Sequence, residues 1–153
     1  MGQGAGDKGR GTKSGGGAQG APQTTTVRFQ TRSTSFEATL DGGLIATALL
    51  ERLPITAAVQ HWGEEIYFDV PVKMANSRPT TEVRVGDIAY WPDGPCLCIF
   101  FGRTPASKAG EPRPASEVTI IGRTLAPPAR LRSAAEGETI TVTHASAHQD
   151  QAV

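Results

Sequence analysis

No apolar run in this chain approaches the roughly 20 residues that a membrane helix requires. The opening MGQGAGDKGRGTKSGGG has no hydrophobic segment of the secretory type. The expectation is a cytoplasmic protein with no membrane partner. An excess of one charge is lacking too. The 15 basic and 15 acidic side chains cancel, so no global positive field holds nucleic acid by counterion release, and none is expected as a partner. Cysteine is scarce: Cys96 and Cys98 stand two apart in a strand-like stretch, where both side chains share a face and a disulfide would need distortion. They read as reduced thiols. Two thiols without a third, or without a suitably spaced His, leave a zinc set incomplete. His144, His148 and Asp150 have a workable helical spacing but fall in a polar tail. No nucleophile elbow encloses Ser107 and no phosphate loop is present. Neither a metal nor a cofactor is expected.

What the chain has in quantity is glycine, 18, and proline, 11, among 153 residues of which 38% are hydrophobic. That mixture favours turns over long helices and suits one domain. Residues 1–24 are rich in Gly, Ser, Gln and Thr, with Lys8, Arg10 and Lys13 against Asp7. Such a stretch cannot bury enough apolar surface to offset chain entropy and is expected to be a disordered tail. Residues 144–153 read the same way, leaving a folded unit at 25–143.

Within that unit the signals are mostly of period two. Val27 and Phe29, then Phe36, Ala38 and Leu40, alternate with polar neighbours across a polar connection, as in a hairpin. Leu44, Ile45, Ala48, Leu49 and Leu53 recur at helical spacing after Asp41, and Pro54 ends that helix. A strand around residues 55–60 leads into WGEEIYFDVPV at 62–72. There Ile66, Phe68, Val70 and Val72 take one face, and Glu65, Tyr67 and Asp69 the other. A second hairpin turns at Pro92, Asp93, Gly94 and Pro95. The proline-bearing loop at 103–116 is of a length that is usually functional or mobile. Short strands around Val118, Ile120 and Ile121, and around Ile140 and Val142, flank a helical turn carrying Leu131. The tally is about eight strands and one or two short helices, a mainly β fold of barrel type.

The chemistry-bearing residues concentrate at one corner. Glu64 and Glu65 follow Trp62 and Gly63, and adjacent strand residues face opposite ways, so one carboxyl is expected to turn inward. Partly buried beside Trp62 and Tyr67, it would have a raised pKa and serve as an acid, a base or an anchor for a cationic ligand. His61 lacks an orienting partner in the sequence and reads as a satisfied or exposed residue. Trp62, Tyr67, Phe68, Tyr90, Trp91, Phe100 and Phe101 exceed what a small barrel holds inside. The surplus is expected to line a groove, with one of Phe100 and Phe101 in the core and the other at the rim.

The order hairpin, helix, strand, WGEEIYF at 62–68 and VGDIAYWPDGPCLCIFFGRTPAS at 85–107 resembles a small prokaryotic family with a cyclophilin-like barrel. The likeness runs over nearly all of 25–143. Its most specific pieces are the 44–54 helix ending LLERLP, residues 62–68, Gly86-Asp87, residues 90–92 and residues 101–107. The resemblance implies a closed eight-stranded barrel with short helices at its ends, in a group of undefined biochemical role. The cyclophilins proper are peptidyl-prolyl isomerases, in which an Arg polarises the prolyl amide to lower a rotational barrier of ~20 kcal/mol. Here the F-H-R and Q-G-G-D signatures are absent, and the strand where that Arg would sit carries Trp62, Gly63, Glu64 and Glu65. The expected function is binding of a small molecule or peptide in a groove lined by Trp62, Glu64, Glu65, Tyr67, Phe101 and Arg103. The alternatives are a prolyl isomerase with a relocated electrophile, Arg103 or Arg113, and an enzyme using Glu64 or Glu65 as base.

Overall fold

A computed structural model describes residues 23–145. The two expected tails, with His148 and Asp150, lie almost wholly outside them. The order is β1 (Thr25–Gln30), β2 (Ser35–Leu40), α1 (Leu44–Leu50), β3 (Ile55–Ala58), β4 (Gln60–His61) and β5 (Glu65–Asp69). Then come β6 (Asp87–Trp91), β7 (Cys96–Phe100), β8 (Thr119–Thr124), α2 (Pro128–Arg132) and β9 (Thr139–His144). No helix among the described residues is long and apolar enough to cross a membrane.

All the strands join one antiparallel sheet in the order β3-β9-β1-β2-β8-β6-β7-β5-β4. The two outermost strands, β3 and β4, are halves of the continuous segment 55–61. Its first half pairs with β9 and its second with β5. Between them the Val59 N–H donates to the Glu138 carbonyl at 2.8 Å, and the Gly137 N–H donates to the Val59 carbonyl at 2.8 Å. The sheet is thus curled into a nearly closed barrel. About eight strands were expected; nine appear among the described residues because this segment breaks its pairing at Val59, changing partners without leaving the sheet.

The expected alternation fills the interior. Phe29 and Phe36 face each other across the first hairpin with rings stacked at 5.0 Å, and Phe29 meets Phe68 edge-on at 6.2 Å. Ile66, Ile88, Tyr90, Leu97, Ile99 and Ile140 are fully or almost fully buried in the same core. Each such side chain contributes about 1.5–3 kcal/mol by leaving water. Helix α1 is shorter than the sequence expectation: it starts from Gly43, whose N–H donates to Asp41 Oδ1 at 2.9 Å, and stops at Leu50. Leu44 stays 78% exposed, and Leu53 reaches the core from the turn beyond the helix.

The outer face of β5, β6 and β7 is covered as well. Val83 and Val118 come from the segments on either side and bury Ala89, Cys98 and Phe100 beneath them as a second, smaller cluster. One pair of bonds holds that cover, and another closes the main core beside it. Thr80 and Val118 exchange backbone hydrogen bonds at 2.9 Å. The Tyr90 hydroxyl donates to the Val72 carbonyl at 2.7 Å and accepts from the Met74 N–H at 2.9 Å. Every residue of β7 is consequently buried. Phe100 and Phe101, expected to divide between core and rim, are both buried, one in each cluster.

Candidate functional site

The corner that ends β4 is built by Gly63, whose φ of +60° lies in the left-handed region that suits glycine. A Cβ there would approach the Arg103 carbonyl oxygen and Thr104 Cα to 2.8 Å. The turn is closed by the Trp62 N–H donating to the Glu65 carbonyl at 2.9 Å. It is locked onto the end of β7 by Glu64 N–H to Arg103 O at 2.6 Å and Phe101 N–H to Glu64 O at 2.9 Å. This fixes which carboxylate goes where. Glu64 swings to the surface and pairs with Arg132 at 2.8 Å. Glu65, first residue of β5, turns onto the covered outer face and is only 5% exposed.

On that face lies a pocket of about 150 Å3. Glu65 and Tyr67 from β5 and Cys98 from β7 line it, with Tyr67 directly opposite Cys98 in the strand register. The indoles of Trp62 and Trp91 add to the wall, and Pro114, Ala115 and Val118 border it from the long loop and its exit. Trp91 is held in place because its Nε1–H donates to Ser116 Oγ at 2.7 Å, and that hydroxyl donates to Asp93 at 3.1 Å.

Inside this ring-lined space Glu65 Oε1 is buried and has no hydrogen-bond partner. Burial pushes the Glu65 carboxyl up to about 7, a rise that the neighbouring Cys98 thiol only partly offsets. The Cys98 thiol is itself raised well above its ordinary value, by burial first and then by the Glu65 charge. Cys96 is pushed up to about 12 by burial and by Asp69, to which its thiol donates at 3.4 Å. Both cysteines are free and buried, so neither offers a ready thiolate.

Of the residues singled out from sequence, the structure brings together Trp62, Glu65 and Tyr67. Glu64 stands apart at its surface ion pair. Phe101 does not line the pocket: it continues the inward parity of Leu97 and Ile99 and sits in the main core, 3% exposed. His61 meets it edge-on at 6.4 Å, and the Arg132 guanidinium covers its ring at 5.4 Å. The Arg103 side chain is exposed outside the lining, and only its carbonyl serves the corner. A His61 ring nitrogen contacts the Ala134 carbonyl, so this side chain is satisfied structurally. Arg113 reaches Thr81 Oγ1 at 3.2 Å, while its Nε is buried without a partner. Sequence reasoning left Trp91, Cys98, Pro114, Ala115 and Val118 out of the site. Trp91 and Cys98 carried a usable signal, since the 92–95 turn already placed their strands side by side.

Comparison with known proteins agrees with this architecture. No curated protein matches the chain. Among solved structures, a hypothetical protein of Archaeoglobus fulgidus determined in solution is 32% identical. The match covers 83% of this chain and 99% of that one, with a TM-score of 0.68. A family model described as Cyclophilin-like matches residues 25–143, all of the barrel but the last residue of β9. The chain belongs to this cyclophilin-like family.

Proposed function

We propose that the domain binds a small molecule, or a single side chain of a peptide, in the pocket walled by Trp62, Tyr67 and Trp91 around Glu65. The observation that carries this reading is the unpartnered Oε1 of Glu65, buried in a cavity lined by rings. A carboxyl kept there costs folding free energy, and a bound donor would return it. The size is right for one ring: an apolar cavity of about 150 Å3 accommodates a benzene molecule. Few, well-placed polar groups in a mostly apolar concavity are typical of small-ligand sites.

Prolyl isomerisation would call for a cation above the amide. None of the side chains lining the pocket is basic, and Arg103 lies outside it. The binding reading is tested by a two-dimensional NMR titration of the full chain with a library of ring-sized fragments. Expected are shifts of the Trp62 and Trp91 indole signals together with the Glu65, Tyr67 and Cys98 amides. A broad library that leaves all five unmoved would remove the proposal.

A further inference from the structure

Resting on that reading, we infer that the ligand class of this pocket is a protonated primary or secondary amine, whose N–H donates to Glu65 Oε1 while the cation faces the rings of Trp62, Tyr67 and Trp91. Three observations converge on it. First, Oε1 is buried, lacks a donor and belongs to a residue that is 5% exposed. A cavity opens beside it, so the missing donor has room to arrive from outside the chain. Second, the lining supplies no countercharge. The guanidiniums of Arg132 and Arg123 are committed to Glu64 and Asp87, each at 2.8 Å, and Arg113, next to the lining residue Pro114, donates to Thr81 Oγ1 at 3.2 Å. Third, the walls are the three electron-rich rings that stabilise a desolvated cation through their faces. A carboxylate among aromatic rings matches an N–H-bearing ammonium at both of its features, charge and donor.

The groups facing Glu65 fix the pH behaviour. Cys98 and, farther along β7, Cys96 are neutral thiols with raised pKa values. Tyr67 beside it on β5 is also raised, by burial first and then by Cys96, Glu65, Glu136 and Cys98; the Glu136 carboxylate accepts from the His61 N–H at 3.1 Å, one residue before Trp62. Trp62, Trp91, Pro114, Ala115 and Val118 carry no charge. Glu65 is therefore the lining group raised to about 7, and below that pH an ammonium must compete with its proton to bind.

The test compares piperidinium with tetrahydropyran, a neutral ring of the same size, by NMR titration of the wild type and Glu65→Gln. Near pH 8 the wild type is expected to bind piperidinium at least tenfold more tightly than tetrahydropyran. Below the Glu65 titration that preference should shrink by about tenfold per pH unit. Glu65→Gln should lose the preference yet keep tetrahydropyran binding, which shows that its pocket is intact. The wild-type pH profile decides the matter alone if the variant fails to fold. Equal affinity for the two rings, or a preference indifferent to pH, overturns the amine assignment and leaves the binding role standing. Failure of piperidinium to bind overturns the amine assignment, and if the fragment library also leaves the pocket signals unmoved the binding role goes with it.

Discussion

Glu65→Gln separates the cost of the buried carboxyl from its use. In the folded protein burial raises the Glu65 pKa from 4.5 to about 7. The folded state therefore retains a proton that the unfolded chain gives up from about pH 4.5 upward. The stability linked to that proton is fully present below about pH 4.5 and is lost as pH rises through about 7. At about 1.4 kcal/mol per pH unit, this gap amounts to about 3 kcal/mol, of which about 2.5 kcal/mol falls between pH 5 and pH 8. Glutamine has the same shape and no titration. Urea unfolding of both proteins at intervals across that range should show the wild type losing about 2 to 3 kcal/mol relative to the variant as pH rises. The variant should be the more stable of the two at the alkaline end. Parallel stability curves would refute the reasoning, because they would mean that the carboxyl is solvated in the folded protein.

Other features give sharper local outcomes. Gly63→Ala forces a side chain into the left-handed region against the Arg103 carbonyl, and thermal unfolding should register a loss of about 1–3 kcal/mol. Tyr90→Phe removes the hydroxyl shared by Val72 and Met74. It should cost about 1–3 kcal/mol, with faster hydrogen exchange at the Met74 amide. Cys96 and Cys98 are buried with raised thiol pKa values, so iodoacetamide should modify them in the native protein far more slowly than in urea. Trp91→Ala removes one wall of the pocket and should weaken fragment binding by at least tenfold in the same NMR titration, while far-UV circular dichroism stays unchanged.

The barrel was largely legible in the sequence because its interior obeys a period of two. Ile66 and Phe68 point inward and Tyr67 and Asp69 outward, as the alternation requires. The Leu131 turn and the 92–95 turn likewise fall where their residues predict. The site was only partly legible. It is made by pairings far apart in sequence, such as Tyr67 opposite Cys98, and by a loop folded back over the sheet, neither of which a local pattern reveals. The same cover explains Phe100: period-two reading allows for one buried face, whereas here both faces are buried. Phe101 followed its strand parity into the core. Which of Glu64 and Glu65 became buried depended on the Gly63 corner and the long-range bonds from 101 and 103 that lock it.

The segment 55–61, which joins β9 to β5, also limits how this molecule can be approached. Peptides are often recognised by extending an exposed sheet margin, borrowing its main-chain donors and acceptors. Here the two margins that such a peptide would use are the short halves of one stretch of the protein's own chain, four and two residues long. Main-chain zippering is thereby largely foreclosed around the girdle. Selectivity for a visitor would then have to come from side chains and loops.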